Sequence, residues 1–351
     1  MTTKLISYAG QAALAPVWIA QLFTGAKSFR DNPILGSRRF NEWGLHAGRV
    51  SLAHRLAASR RARLAPAIAA ADKAAFDRDG FIMKRDFLPP ALFATLLAQV
   101  KAYRGDVREM VQGDTVTRRI PLDPPTMARM PAVRGLIDEP GFNGLLHYAH
   151  SSAGLPVFYI QSILTHVRGK VPDPQTFLHS DAFQPSVKAW FFLTDVAADA
   201  APFVYVPGSH RLTPARLDWE RRMSLAAKDA PSRMTQRGSF RVTAEELPAL
   251  GLPEPKHFAV PANTLVIADT YGFHARGPST TPAHRVEIWA YGRRSPFLPW
   301  TGLDVWNIGK VGHWRMPVLW RIADAIKPLH IVVHDWRLRH DRGAFDPDDG
   351  G

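Results

Sequence analysis

From residue 156 onward the chain is dominated by short runs of aromatic and β-branched residues. The runs are PVFYIQSILTHV, KAWFFLTDV, PFVYVPGS, TLVIAD and RVEIWAYGRR, and glycine or proline turns separate them. Runs of this length and composition, interrupted by turn residues, are typical of β-strands. They lack the regular alternation with helices that marks a parallel sheet. The pattern therefore predicts a mainly β core, a double-sheet jelly roll of the cupin-like kind.

Helical patterns flank this core on both sides. Between residues 40 and 63, leucine and alanine recur at helical spacing and five arginines accompany them. This pattern predicts a helix packed on the core with a solvated basic face, or a helix that lies on a membrane surface. Residues 74–103 are typical of a helix end, a turn at Gly80, a short strand and a second helix. Residues 317–332 return to helical spacing, and tryptophan and arginine lie close together around them. Helical additions at both ends of the β core are therefore expected.

The charge of the chain lies mostly outside the predicted β core. The 351 residues carry a formal net charge of +13. Residues 1–66 hold ten Lys and Arg against two acids, and residues 293–342 hold nine against four. This distribution favours flanks that meet a polyanion over a basic cleft in the core. We expect a basic helical extension over 1–66, a core domain over 67–300, and a basic, Trp-rich helical extension with an acidic tail over 301–351.

The composition excludes several classes of protein. The chain has no cysteine, so disulfides, thiolate metal clusters and cysteine nucleophiles are excluded, and a metal would need histidine and carboxylate ligands. The uncharged stretches 5–26 and 140–167 are interrupted by polar residues, proline or glycine and make poor membrane spans. A secretory signal is not evident, and a transit peptide is the less favoured alternative. We expect a cytoplasmic protein, with peripheral membrane attachment as an option.

Two of the candidate metal ligands stand two residues apart in the segment FLHSDAF. Because alternate side chains on a strand share a face, His179 and Asp181 would project the same way. A third candidate, His274, follows the apolar run TLVIAD and a glycine break. Two imidazoles and one carboxylate are the ligand set of non-haem Fe(II) oxygenases. Zinc hydrolases use the same three ligands and remain an alternative at this point.

Arg285 favours the oxygenase. It stands 11 residues after His274, at the start of a strand that would pair beside the ligand strand. A guanidinium binds a carboxylate in bidentate fashion, which suits the distal carboxylate of 2-oxoglutarate, an electron donor for oxygen activation at a lone Fe(II). The alternative is an ordinary arginine on a surface loop.

Five segments in fixed order carry a family resemblance: DGFIMKRDFLPP, HSD, FFLTDVAADAAPFVYVPGSH, ADTYGFHARGPS and HRVEIWAYG, all within residues 72–294. Together they resemble the phytanoyl-CoA dioxygenase family of Fe(II)/2-oxoglutarate-dependent oxygenases. The resemblance implies a double-stranded β-helix, with O2 and 2-oxoglutarate as co-substrates. It implies that His179, Asp181 and His274 bind Fe(II) and that Arg285 binds 2-oxoglutarate. Because Asp181 is present where halogenating relatives have a small residue, it implies hydroxylation.

Further residues are candidates for contacts with the co-substrate. Gln161 or Thr165, on or just after the strand that precedes HSD, would hydrogen-bond 2-oxoglutarate. Lys188, on the next strand, would contact a carboxylate of the substrate or co-substrate. His210 in VPGSH is expected to stabilise a turn.

The basic flanks provide the only independent indication of the substrate. Amphipathic, Trp-containing additions favour a lipid-like or lipid-linked substrate at an anionic membrane surface. A soluble hydroxylase of an acyl-CoA or a small secondary metabolite is the alternative. Nucleic acid is disfavoured, because no basic, aromatic groove is evident in the core. A jelly-roll binding protein without turnover is a third hypothesis.

Overall fold

The computed structural model describes residues 8–167, 173–303, 311–327 and 335–348. Its α-helices are Tyr8–Gln21 (α1), Arg38–Glu42 (α2), Leu45–Leu64 (α3), Ala70–Asp79 (α4), Pro90–Ala102 (α5), Pro124–Ala128 (α6), Pro131–Asp138 (α7), Pro140–His150 (α8), Pro214–Ala226 (α9), Arg233–Gln236 (α10) and Arg315–Ile326 (α11). Its strands are Phe81–Lys84 (β1), Gly105–Gln112 (β2), Thr115–Pro121 (β3), Val157–Leu164 (β4), Val187–Phe192 (β5), Phe203–Tyr205 (β6), Lys256–Phe258 (β7), Thr264–Asp269 (β8), His274–Arg276 (β9), His284–Gly292 (β10) and Arg337–Arg342 (β11). Short 3-10 helices occupy Ala65–Ala67, Pro174–Thr176, Ala227–Asp229, Ala244–Glu246 and Pro248–Leu250.

The strands form two facing antiparallel sheets. The large sheet has the order β1-β8-β5-β10-β4-β3-β2-β11, and the small sheet has the order β7-β6-β9. The successive strands β2, β3 and β4 are neighbours in the large sheet, and β6 and β7 are neighbours in the small one. Between β5 and β10 the chain crosses repeatedly from one sheet to the other. The predicted jelly roll with flanking helices is confirmed. The hairpin of β2 and β3 was not predicted from the sequence.

Alternation along the strands explains the layers. In β5, Ala189 and Phe191 belong to the core between the large sheet and helices α5, α7 and α8. Trp190 and Phe192, from the same strand, belong to the core between the two sheets. Successive side chains on a strand point to opposite faces, so one apolar run supplies both layers. The cleft between the sheets is therefore lined by alternate side chains of each strand.

The N-terminal extension packs on the jelly roll through its arginines. In α3, Arg49 donates to the carbonyls of Leu22, Thr24 and Ala26 at 2.8–3.0 Å. Arg60 is buried and donates to the Ser151 carbonyl at 2.8 Å. Unpaired carbonyls at chain ends and turns need donors, and a guanidinium supplies five.

A solvated basic face on α3, as the sequence indicated, is correct only in part. Arg55 and Arg63 are exposed. Arg49 and Arg60 are buried, and Arg61 is mostly buried. The expectation is wrong for these three, because they bind carbonyls and a carboxylate of the core. Within the described ranges, no helix has both the length and the apolar character needed to cross a bilayer.

The C-terminal extension closes the far edge of the large sheet. Helix α11 is held by an ion pair from Arg108 to Asp324, and its Trp320 packs on Tyr159 with ring centroids 5.5 Å apart. Strand β11 pairs with β2, although the sequence indicated only helix in this extension. A strand of mixed polar residues such as RLRHDR has no apolar alternation, so periodicity does not reveal it. The domain boundaries 67 and 300 stay a prediction.

Candidate metal centre

Three side chains with metal-binding atoms converge in the cleft. His179 and His274 lie in an antiparallel bridge, each backbone N–H donating to the other's carbonyl at 3.0 Å. Asp181 Oδ1 lies 3.8 Å from His179 Nε2 and 3.7 Å from His274 Nε2. One ligand atom from each residue lies within 4.8 Å of the other two. The arrangement leaves room for one shared ion between three donor atoms.

Backbone carbonyls orient both imidazoles. His179 Nδ1 donates to the Phe177 carbonyl at 2.8 Å, and His274 Nδ1 donates to the Gly272 carbonyl at 2.9 Å. A carbonyl only accepts, so each ring carries a proton on Nδ1 and presents Nε2 to the site, where His274 Nε2 lies 3.5 Å from Lys188 Nζ. Gly272 is required by close packing, since a Cβ there would lie 1.9 Å from Tyr205 Oη.

Burial and neighbouring charges set the ionisation of two of the three ligands. Burial, followed by the neighbouring His274, lowers the pKa of His179 to about 3, so its ring is neutral at physiological pH. Burial alone would raise the pKa of Asp181, but Lys188 and the two histidines hold it well below its usual range. Two imidazoles and one carboxylate are a donor set that fits Fe(II). The Lys188 ammonium lies 2.6 Å from Asp181 Oδ2.

A second lysine reaches the triad from the N-terminal extension. Lys27 Nζ donates to the backbone carbonyl of Asp181 at 2.5 Å. Burial, then repulsion from Arg293, lowers the pKa of Lys27 to about 8. Lys27 was not predicted from the sequence, because an isolated lysine 154 residues away from Asp181 carries no signal of its own.

Arg285 lies in the cleft beside a buried acid. It is 6% exposed, so it is not an arginine on a surface loop. Its Nε lies 2.8 Å from Glu287 Oε2, and Gln161 Nε2 donates to Glu287 Oε1 at 2.8 Å. Its Nη1 also donates to the Ala201 carbonyl. Glu287 was not predicted from the sequence, although an acid two positions from Arg285 in an apolar strand shares its face and was a usable signal.

The strand pairing expected for Arg285 is wrong. Strand β10 pairs with β4 and β5, whereas β9, which begins at His274, pairs with β6 in the other sheet. The two residues face each other across the cleft instead, because a jelly roll places consecutive strands in different sheets.

Two further predicted residues lie away from the triad. Thr165 does not line the cleft: its Oγ1 accepts from the Ala283 N–H and lies 3.0 Å from Ser279 Oγ. His210 packs edge-on against Phe76, with ring centroids 5.7 Å apart. Both contacts join loops and helices to the core.

The cleft encloses a cavity of about 530 Å³ next to the triad. Its lining includes Gln161 and the aromatic residues Tyr159, Trp190, Phe203, Trp289 and Tyr291. Its basic side chains are Arg119, Lys188, Arg276, Arg285, Arg293 and Arg315, and Asp181 is the acidic one among the described lining residues. Arg315 and Met316 come from α11, so the C-terminal extension supplies part of the wall. The cavity is thus aromatic, basic and completed by an extension.

A profile of the phytanoyl-CoA dioxygenase (PhyH) family matches residues 76–285, more than half of the chain. The chain belongs to the phytanoyl-CoA dioxygenase family. It is a dioxygenase-type enzyme. The matched range contains the triad, Lys188 and Arg285, whereas Lys27 and α11 lie outside it.

Solved structures are similar over part of the chain. The non-heme alpha ketoglutarate dependent epimerase SnoN from nogalamycin biosynthesis is 21% identical, with a TM-score of 0.43, over 63% of this chain and 81% of that chain. HygX from Streptomyces hygroscopicus, with nickel, 2-oxoglutarate and hygromycin B bound, is 16% identical, with a TM-score of 0.40, over 64% and 87%. EctD from S. alaskensis with bound Fe is 18% identical, with a TM-score of 0.37, over 64% and 76%. Similarities at this level carry no argument about the substrate. No curated protein matches the chain.

Proposed function

We propose that this enzyme is an Fe(II)- and 2-oxoglutarate-dependent hydroxylase of a small organic molecule. The observation that carries the proposal is the convergence of His179 Nε2, His274 Nε2 and Asp181 Oδ1 on one wall of an aromatic cavity. Iron, when bound with 2-oxoglutarate and O2, supplies the oxidising chemistry that converts a C–H bond to C–OH, with succinate and CO2 as co-products. The protein supplies ligand geometry, placement of the substrate and exclusion of water.

Five of the predicted site residues have a role in this proposal. The triad holds the metal, and Arg285 binds the distal carboxylate of 2-oxoglutarate through its terminal nitrogens. Glu287 orients the Arg285 guanidinium, and Gln161 in turn holds Glu287 by donating to it. An anchor fixed by a buried neighbour loses little entropy when it binds, which favours a precise position for the co-substrate.

The cavity size supports a compact substrate. Sites for small molecules enclose about 300–1,000 Å³, and 530 Å³ lies within this range. A lipid-like acyl chain would also fit, whereas a whole acyl-CoA would leave its nucleotide outside. Aromatic walls suit an apolar or ring-containing body.

A lipid-like substrate reached at an anionic membrane surface is the second candidate. Large apolar side chains are exposed on both extensions: Val17, Ile19 and Phe23 near α1, and Leu319 and Ile322 on α11. Phe23 is 70% exposed. Exposed apolar patches of this kind mark contact surfaces for membranes or proteins.

Anaerobic loading with Fe(II) and 2-oxoglutarate tests the proposed function. We expect the metal-to-ligand charge-transfer absorption in wild type and in the exposed-site control Asp199→Ala. Asp181→Ala should abolish both this absorption and succinate formation, because it removes one of three ligands. A wild-type protein that binds iron and shows no such absorption would overturn the proposal.

Co-sedimentation with vesicles of phosphatidylcholine and phosphatidylserine separates the two substrate candidates. The membrane candidate requires binding at low salt that weakens in the double variant Leu319→Ser/Ile322→Ser. If the protein stays in the supernatant at low salt, the membrane candidate is excluded and the compact soluble substrate remains.

A further inference from the structure

Arg119 is a cavity residue that the proposed reaction does not use. It lies on β3, opposite Gln161 of β4, and its Nε donates to Gln161 Oε1 at 2.8 Å. Three aromatic rings surround its guanidinium: Trp289 at 4.3 Å, Trp336 at 4.7 Å and Tyr159 at 5.0 Å from ring centroid to Cζ. Contacts of a cation with ring faces hold a planar guanidinium in one orientation. Trp336 belongs to the C-terminal extension, so the three rings surround Arg119 only when that extension is folded onto the rest of the protein.

The charge of Arg119 has no counterpart in the described part of the protein. Arg285 pairs with Glu287 and Arg276 pairs with Asp173, but no described carboxylate forms an ion pair with Arg119. Its two terminal nitrogens make no hydrogen bond to any described residue, since its one bond is the Nε contact with Gln161. A half-buried guanidinium with two free nitrogens is ready to bind a planar or tetrahedral anion in bidentate fashion.

Binding of Fe(II) and 2-oxoglutarate does not remove the excess positive charge of the cavity. The two positive charges of Fe(II) are matched by the two carboxylates of 2-oxoglutarate, so loading leaves the net charge of the cavity unchanged. The cavity stays basic, and a substrate with a negative charge would be attracted to it.

The strand order separates this charge from the triad. Lys188, which contacts Asp181, lies on β5, and β10 and β4 separate β5 from β3. The Arg119 guanidinium lies 4.3 Å from the ring centroid of Trp289, which belongs to the intervening strand β10. Trp289 and Tyr291 occupy the interval, with nearly parallel rings 5.7 Å apart.

We propose that Arg119 is the substrate-binding residue for an anionic group, a carboxylate, sulfate or phosphate, on a molecule whose apolar body lies along Trp289 and Tyr291. The inference rests on the proposed function and names its substrate class. The hydroxylated carbon would lie at the end of this body that faces the triad, away from the anion. The anion makes its bidentate contact with the Arg119 terminal nitrogens.

Binding of a matched pair of probes to the full-length protein, loaded anaerobically with Fe(II) and 2-oxoglutarate, tests this inference. The probes are naphthalene-2-sulfonate and the neutral naphthalene-2-sulfonamide, and naphthalene-2-carboxylate is the second anion. We expect both anions to bind at least about tenfold more tightly than the sulfonamide, because a charge-assisted bidentate contact is stronger than a neutral one. Quenching of tryptophan fluorescence or calorimetry provides the dissociation constants.

Variants separate the roles of Arg119. Arg119→Gln should remove the preference for the anions, Arg119→Lys should retain part of it, and the surface control Arg55→Gln should behave as wild type. The charge-transfer absorption of bound 2-oxoglutarate should persist in all three. If it persists in wild type and the anions have no advantage, the inference is overturned while the proposed function stands. If Arg119→Gln or Arg119→Lys loses that absorption, Arg119 is a co-substrate anchor, which also overturns the inference.

Discussion

A buried ion pair connects the N-terminal extension to the strand that leads into the triad. Arg61 Nη2 lies 2.7 Å from Asp269 Oδ2, and the Asp269 side chain is 0% exposed against 15% for Arg61. Asp269 Oδ1 also accepts from the backbone N–H groups of Ser186 and Tyr271 at 3.1 and 3.0 Å. Asp269 ends β8, five residues before His274. Loss of Arg61 therefore leaves a charged carboxylate inside the core.

The variant Arg61→Met removes the charge and keeps most of the apolar stem. Breaking a fully buried ion pair by removing one partner costs about 3–5 kcal/mol. The slight exposure of Arg61 places the expected loss near the lower bound, about 3 kcal/mol, because water reaches that side of the pair. With a urea dependence of about 3 kcal/mol/M, the unfolding midpoint should fall by about 1 M. Urea unfolding of the metal-free protein, followed by circular dichroism, measures this change.

The same helix supplies the control. Arg55 is exposed, so Arg55→Met should change the unfolding free energy by less than about 0.5 kcal/mol. In the double variant Arg61→Met/Asp269→Asn, more than half of the loss should be recovered, since the amide leaves no buried charge. Equal urea midpoints for Arg61→Met and Arg55→Met would refute the reasoning. They would show that the N-terminal extension does not stabilise the core through this ion pair.

Two further predictions concern titratable groups. Lys188→Met should tighten Co(II) binding about tenfold, because the Lys188 ammonium lies 2.6 Å from Asp181 Oδ2 and repels the metal. Calorimetric titration of the metal-free protein with Co(II) measures the affinity, and weaker binding by the variant would contradict the prediction. Burial lowers the pKa of His150 to about 3, whereas the pKa of a histidine in the unfolded chain is about 6.5. As the pH falls, the unfolded state therefore takes up the proton first, and the folded state loses stability below about pH 6.5. Relative to His150→Gln, wild type should lose about 2 kcal/mol more between pH 7 and pH 5 in urea unfolding, and parallel pH curves would show that the ring is accessible.

The periodicity of the sequence predicted the strands correctly where the side chains of a strand are buried on both faces. Both core layers need apolar side chains at alternate positions, so β4, β5, β8 and β10 appear in the sequence as largely apolar runs, interrupted by residues of the site such as Gln161, Lys188 and Arg285. Strand β11, RLRHDR, lies at a sheet edge with largely exposed side chains and leaves no such trace. The signal follows from burial on both faces and disappears at the edge.

The extensions show where charge counting fails. Ten basic residues before residue 67 indicated a surface for a polyanion. In the structure Arg49 and Arg60 are buried against backbone carbonyls, and Arg61 binds Asp269. A sequence reports the sign of each charge but not its distance to an acceptor, and that distance decides between a binding surface and internal packing.

The sequence by itself determined the type of sheet, the family and the residues with metal-binding chemistry, because these depend on local alternation and on short motifs. Only the tertiary structure decided that His179, Asp181 and His274 converge and that Arg119 shares their cavity. It also decided that Lys27 contacts Asp181 and that Glu287 contacts Arg285 in the wall of the cavity. These residues come from distant parts of the chain and from both sheets. Their proximity results from how two sheets and two extensions close around one cleft, and no spacing along the chain encodes that closure.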